Sequence, residues 1–382
     1  MFRGRDAIKY LLLAAVLAGP APLRAQSLLL KEAVGLPGQV MFQDIVDSGA
    51  TGMVLAVVHG DEHIVMGFGE TAKGSGREPD GKSLVRIGSI SKAVTGELLG
   101  GLAAAGQLSL TDPLQSYAPD GIPIPDFDGR PITLLDLATH SAALPRELDP
   151  PPGTETFTWP TTADRYAWLA HQKLPWAPGS IAAYSNLGFD LLGAALAEAA
   201  GTSYPDLLRE RITGPLGMAD TAVTPSKEQC DRLMTAYDSH WSEAGPCVST
   251  ANFAASGGVY STADDMVLWL RHNLARADAA AWPTLALTHA AYVQRQDLSA
   301  AIGFDEAGPM DAIALGWLIE MPDGHRPMIL QKTGGSFGFM SYIAFAPGRD
   351  VGVFVSANRI DFAMFTGLTE GVNELIAMLA PR

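Results

Sequence analysis

Between Thr51 and Glu70 the sequence TGMVLAVVHGDEHIVMGFGE carries two apolar, β-branched runs separated by Gly60-Asp61, a pattern that predicts two strands joined by a tight turn. From Ile90 to Leu108 small and apolar residues recur at helical spacing, and Gly100-Gly101 predict a break in that helix before Thr111-Asp112-Pro113 ends it. Helix signals then dominate, over Leu134–Thr139, Leu187–Ala200, Tyr204–Arg211 and Asp264–Leu274. Strand signals return late, in LGWLIE from 315, PMILQK from 327, SYIAFAP from 341 and VGVFVSA from 351, before a last helix over Phe362–Leu379. Strands at both ends around a helical middle imply an α/β (α+β) chain. Residues 26–110 and 255–382 would form one α/β domain and residues 111–254 an α-rich insertion. Short links such as Pro347-Gly348-Arg349-Asp350 make the late strands antiparallel. Leu144–Pro160 holds too many prolines for regular structure and reads as a loop over a site.

Composition narrows the function classes. The 382 residues are 47% hydrophobic and 18% charged, enough to bury a large core. With 41 acidic against 26 basic residues the formal charge is −15, which excludes nucleic acid as a partner for the surface as a whole. At the N-terminus Arg3, Arg5 and Lys9 precede an apolar run over Tyr10–Ala18, followed by Pro20 and Pro22. The run is about half of the roughly 20 residues a membrane span needs, so residues 1–25 read as a signal peptide cut after Ala25. A periplasmic location follows, and peripheral contact with the membrane stays open. The two cysteines, Cys230 and Cys247, have no C-x-x-C or histidine context, and in an oxidising compartment they favour one local disulfide.

The stretch QKTGGSFGFM, Gln331–Met340, carries the chemistry in two incompatible ways. Gly334–Gly338 fits the G-x-S-x-G nucleophile elbow, which would make Ser336 the nucleophile, whereas Lys332-Thr333-Gly334 is a K-T-G element. An elbow requires a strand, a turn and a helix, with a histidine after the serine. Here FGFMSYIAFAPGRDVGVFV reads as a strand pair, and the last histidine is His325, upstream of Ser336. The K-T-G reading requires a serine one helical turn before a lysine, and RIGSISKAVTG supplies Ser89 and Lys92 with Ser91 pointing elsewhere. Tyr184-Ser185-Asn186, at a predicted helix start, provides the third element.

These three elements resemble the serine penicillin-recognising enzymes, in the class C β-lactamase-like branch with a tyrosine in the second motif. ATGMVLAVVHG, DPLQSYAP, PITLLDLATHSAALPRE, AAYSNLGFDLL, ITGPLGM, GGVYST and LQKTGG carry the resemblance. It implies a β-lactamase/DD-peptidase-like fold, with an antiparallel sheet flanked by helices built from both chain ends and a cleft between the α/β and helical parts. It also implies that Ser89, Lys92, Tyr184, Asn186, Lys332 and Thr333 line that cleft. Ser89 would be the nucleophile, and the backbone N–H groups of Ser89 and Gly335 the oxyanion site. Lys92 and Lys332 would flank Tyr184 and lower its pKa; whether Lys92 or Tyr184 takes the first proton stays open. The implied activity is D-alanyl-D-alanine carboxypeptidase/endopeptidase, with peptidoglycan stem peptides and β-lactam antibiotics as partners and no cofactor. A β-lactamase, a promiscuous esterase, or a sensor that acylates without turnover would use the same residues. Lys332 and Thr333 are the main candidates to receive the substrate carboxylate, with Arg359 in SANRID a weaker one against an exposed arginine after a strand. Ser336 becomes a rim residue. His140–Pro145 reads HSAALP where the family has H-T-S-G-L-P.

Two other clusters carry less. His59-Gly60-Asp61-Glu62-His63 offers ligand types but sits in the predicted turn without H-E-x-x-H spacing, so no metal site is assigned. Gly257–Thr262 is glycine-rich without the lysine of a P-loop and reads as tight packing before a helix.

Overall fold

The structure, a computed structural model, describes residues 23–47, 49–148, 158–240, 242–274, 279–304 and 310–382. The expected leader lies outside them except for residues 23–25, which open a helix.

Eight strands form one antiparallel sheet. In chain order they are β1 (Gly52–His59), β2 (Glu62–Gly69), β3 (Val293–Gln294), β4 (Ala312–Ile313), β5 (Leu318–Glu320), β6 (Ile329–Ser336), β7 (Phe339–Ala346) and β8 (Val351–Ala357). Their spatial order is β2-β1-β8-β7-β6-β5-β4-β3, so the first strand pairs with the last, with Met53 opposite Ala357. Alternation along the strands separates two cores. Met53, Leu55 and Val57 of β1 join Val351, Val353 and Val355 of β8 under helices α1 (Leu23–Asp47) and the C-terminal Phe362–Leu379. Val54, Ala56 and Val58 face the opposite core with Phe354, Ile343 and Phe345. Because both faces are covered, these strands read as nearly continuous apolar runs.

Against that second face packs α2 (Ser91–Ala104), preceded by a 3-10 turn over Gly88–Ile90. The expected break at Gly100-Gly101 is absent. A Cβ on Gly100 would lie 2.5 Å from Thr288 Oγ1, so the small residue allows close contact with the helix Trp282–Thr288. The helical middle contains α3 (Leu134–Ala138), α4 (Thr162–Leu169) and α5 (Asn186–Ala200). α3 and α4 start on capping boxes at Thr133 and Thr161, and Ser185 caps α5 by accepting from Gly188 N. The run from 204 to 211 is shorter as an α-helix, Tyr204–Leu208, and continues as π-helix over Arg209–Thr213. The strand expected from 315 begins only at Leu318, because Gly316 (φ +76°) turns the chain where a Cβ would lie 2.3 Å from Lys92 O.

Ser336 does not sit on an elbow. β6 and β7 form a hairpin across Phe337-Gly338, both at positive φ (41° and 78°), as a two-residue turn between right-twisted strands requires. Cys230 and Cys247 form a disulfide with Cα atoms 5.7 Å apart, closing the loop that passes over Arg359. Among the described residues no helix is long and apolar enough to cross a membrane.

Candidate active site

Ser89 is placed by glycine packing. Gly88 adopts φ +54°, and a Cβ there would lie 2.8 Å from Gly335 N; a Cβ on Gly334 would lie 2.0 Å from Ile87 O. The turn that carries Ser89 is thus pressed directly onto β6, bringing Ser89 beside Gly335. Gly335 itself has less need to be small on the protein side, since its Cβ would meet only Ile360 Cδ1 at 3.2 Å. Ser91 points away, donating to Gly88 O at 2.7 Å and accepting from Val259 N at 3.1 Å.

Lys92 Nζ has three oxygen partners: Ser89 Oγ at 3.0 Å, Asn186 Oδ1 at 2.5 Å and Ser256 O at 2.5 Å. Burial, and then the charge of Lys332, hold its pKa well below the ordinary lysine value, against the opposite pull of Asp190 and Glu147. Asn186 opens α5 and its Nδ2 donates to Glu147 Oε1. One turn on, Asp190 accepts from Ser256 N at 3.1 Å and from Arg165 at 2.8 Å. Burial raises the Asp190 pKa to about 6, with Arg165 opposing.

The Tyr184 ring stacks on His140 with centroids 4.3 Å apart and meets Phe304 edge-on. His140 (φ +59°) holds both neighbours of the tyrosine: its carbonyl accepts from Ala183 N at 2.8 Å and its Nδ1 from Ser185 N at 3.0 Å. Burial, then Lys92 and Lys332, push the His140 pKa well below the usual imidazole value, so the ring is neutral and Nδ1 is free to accept. Lys92 and Lys332 Nζ lie 4.9 and 5.3 Å from the Tyr184 centroid. Lys332 is buried on β6, donates to Thr333 O at 3.1 Å, and has its pKa lowered to about 7 by burial and then by Arg146.

The three sequence elements therefore meet at one point. A cleft of about 500 Å³ opens over them, lined by Ser89, Asn186, Gly335 and Ser336, with Trp159, Phe253 and Phe337 as an aromatic wall. Leu148 and Thr158–Pro160, from the proline-rich segment, also line it; residues 149–157 lie outside the described set. Ser336 is half-buried at the rim. Arg359 is neither exposed nor on this cleft. It is 8% exposed and donates to Ser239 O at 3.2 Å beneath the disulfide-closed loop, which corrects both readings of it from sequence. His63 Nδ1 lies 2.9 Å from Arg271 Nη2, and among the described residues no group of three His, Cys, Asp or Glu could hold a metal ion. Sequence reasoning missed Arg146, Glu147, Arg165, Asp190 and Ser256. Only Arg146 and Glu147 had a signal, as polar residues directly after the HSAALP stretch.

Known proteins resemble the chain over most of its length. The Beta-lactamase family model matches residues 39–368, and the chain belongs to that family. It is a serine hydrolase with the fold shared by class C β-lactamases and DD-peptidases. It is 44% identical over 336 residues to the D-alanyl-D-alanine-carboxypeptidase/endopeptidase AmpH of Escherichia coli K12, covering 87% of this chain and 86% of AmpH. A solved β-lactamase/D-alanine carboxypeptidase from Yersinia pestis superposes with a TM-score of 0.84 at 42% identity, over 92% of this chain and 99% of that one. A class C β-lactamase from Rhodobacter sphaeroides shares the fold, with a TM-score of 0.71 at 24% identity over 88% and 98% of the two chains.

Proposed function

We propose that the protein is an exported, periplasmic DD-carboxypeptidase and endopeptidase that cleaves D-Ala-D-Ala-type peptidoglycan stem peptides through an acyl-enzyme on Ser89, and that penicillins acylate the same serine. Residues 26–110 with 255–382 act as one domain and 111–254 as the other, with the reaction in the cleft between them. Cleavage after Ala25 releases the mature chain. The leading observation is the hydrogen-bond set of Lys92. A neutral amine has two N–H donors and one lone pair. Asn186 Oδ1 and Ser256 O can only accept, so they take the two donors and leave the lone pair for the Ser89 hydroxyl. Burial next to Lys332 favours that neutral form.

Lys92 then takes the Ser89 proton as Oγ bonds to the substrate carbonyl carbon. The charge that moves to the carbonyl oxygen is met by the N–H groups of Ser89 and Gly335, an effect worth about 3–4 kcal/mol for each donor removed. As the C–N bond breaks, the leaving nitrogen takes a proton from the Tyr184 hydroxyl, which is replenished from the Lys92 ammonium. D-Alanine departs and Ser89 carries the acyl group as an ester. In the second half water attacks that ester, its proton passes through Tyr184 to Lys92, and Ser89 regains its own. His140 and Phe304 fix the plane of the tyrosine for both transfers. Lys332 and Thr333 receive the substrate carboxylate.

The test is a paired time course on the mature protein: D-alanine release from a stem pentapeptide, and intact mass after a penicillin is added. D-Alanine release with a slowly clearing adduct, absent from Ser89→Ala, is the expected result. Rapid antibiotic turnover without D-alanine release would make the protein a β-lactamase, a stable adduct without turnover a sensor, and no adduct would remove Ser89 from the mechanism.

A further inference from the structure

Arg86 lies just upstream of Ser89, at the end of the short strand Leu84–Arg86, and is 3% exposed. Its Nη2 donates to Pro246 O at 2.5 Å and its Nε to Tyr260 Oη at 3.2 Å, while Nη1 faces Phe337 O at 3.5 Å. The guanidinium also lies over the rings of Phe337 and Tyr260, 5.2 and 5.3 Å from their centroids. Tyr260 in turn donates to Val248 O at 3.0 Å. The carbonyls on either side of Cys247 are thus held by one connected pair of side chains, at a point that the Cys230–Cys247 bond anchors. A guanidinium suits such a junction, because its planar fork of N–H groups reaches several acceptors while its face stacks on rings.

This junction fixes the tip of the β6–β7 hairpin. Phe337 sits at φ +41°, a conformation that an aromatic residue seldom keeps unless its neighbours impose it. The disulfide-closed loop presses on the tip: a Cβ on Gly338 would lie 2.5 Å from Ala244 Cβ and 2.8 Å from Tyr237 N. Arg86 holds the neighbouring Phe337 ring. That ring meets Trp159 edge-on at 5.8 Å and Phe253 at 6.1 Å, and the Trp159 and Phe253 rings are 4.3 Å apart. The wall these rings form over the cleft comes from segments far apart in the chain, so its shape depends on what holds each segment in place.

The course of β6 says which part of a substrate meets this wall. Lys332 and Thr333 come first along the strand, Gly335 next, and Phe337 lies beyond it at the turn. With the leaving residue's carboxylate on Lys332 and Thr333 and the carbonyl oxygen at Gly335, the acyl part runs on toward Phe337. We infer that Arg86 is a positioning residue: by joining the Cys247 segment to Phe337 it sets the aromatic wall that receives the acyl side, and so favours substrates with a flat apolar group there. This rests on the acyl-transfer reading above.

The test compares the wild type and Arg86→Gln in acylation by benzylpenicillin, which carries a phenyl group on the acyl side, and by the bare penicillin nucleus, which has a free amine instead. The acylation constant for the first relative to the second is expected to fall by about threefold to tenfold, the worth of one aromatic contact. In Phe337→Gly, where glycine takes the positive φ without strain, the ratio falls by a similar factor, and adding Arg86→Gln lowers it no further. An unchanged ratio in Arg86→Gln, or additive falls in the double variant, overturns the proposal. Should Arg86→Gln not fold, Arg86→Lys carries the same comparison, since one ammonium cannot reach Pro246, Tyr260 and Phe337 together. If neither compound acylates the wild type, the acyl-transfer reading fails instead, and amide exchange decides the Arg86 assignment. Faster exchange in Arg86→Gln confined to residues 246–248 and 336–340 supports it, and unchanged or uniformly faster exchange overturns it.

Discussion

Gly334→Ala probes how the reaction site is assembled. The added Cβ would lie 2.0 Å from Ile87 O, 3.0 Å from Ile87 C and 3.3 Å from Ile90 Cγ1. The first two are backbone atoms of the turn that carries Ser89, so no side-chain rotation relieves the overlap. Either β6 or the turn must move by about 1 Å to restore ordinary contact. Overpacking of this kind costs about 1–3 kcal/mol of stability. The same displacement separates the amides of Ser89 and Gly335. Loss of one oxyanion donor lowers the rate by about a hundredfold to a thousandfold, so acylation should fall by that much. Gly101→Ala is the control: its Cβ would meet nothing closer than Thr284 Cγ2 at 3.7 Å, within a regular helix. Alanine there should raise stability by about 0.5–1 kcal/mol and leave acylation unchanged. Denaturant midpoints and the acylation rate with a fluorescent penicillin measure both. Wild-type acylation by a fully folded Gly334→Ala would refute the claim that this contact sets the oxyanion geometry.

Further outcomes follow from named residues. Ser89→Ala should abolish acylation while Ser336→Ala, at the rim, keeps most of it; equal loss in stopped-flow acylation would contradict the assignment. Because the folded pKa of Lys332 is about 7 against an ordinary 10.5, the unfolded state binds more protons across that window, and stability rises with pH from 7 toward 10.5. Lys332→Met should flatten that rise, measured as unfolding midpoints between pH 7 and 9. Asp190→Asn leaves Arg165 buried without its counter-charge and should cost about 3–5 kcal/mol. It also removes a charge that raises the Lys92 pKa, so the acid limb of acylation against pH should move to lower pH; an unmoved limb would separate Asp190 from Lys92. Reducing the Cys230–Cys247 bond, whose partners are 17 residues apart, should lower unfolding free energy by about 3 kcal/mol, read as a reductant-dependent shift in denaturant midpoint.

The sequence by itself determined the elements with a strong local signature. The paired runs after Thr51, the late strands and the Phe362–Leu379 helix were legible because each carries a long apolar stretch, uninterrupted in β1 and β8 where both faces are buried. Ser89, Lys92, Tyr184, Asn186 and Lys332 were legible because covalent spacing within one turn or one strand dictates which side chains share a face. α1 was not, since Pro37 interrupts it and its apolar face acquires meaning only against the C-terminal helix and the sheet. Gly100 and Gly316 were read as local signals, or not at all, although contacts with segments far along the chain require their small size. Arg359 moved from candidate receptor to buried support for the same reason. A charged side chain's role depends on which neighbours surround it and how much water remains, and both are fixed only when distant segments pack. The depressed lysine pKa values, the neutral His140 and the Arg165–Asp190 pair behind Ser256 belong to that second kind of information, which arises from burial.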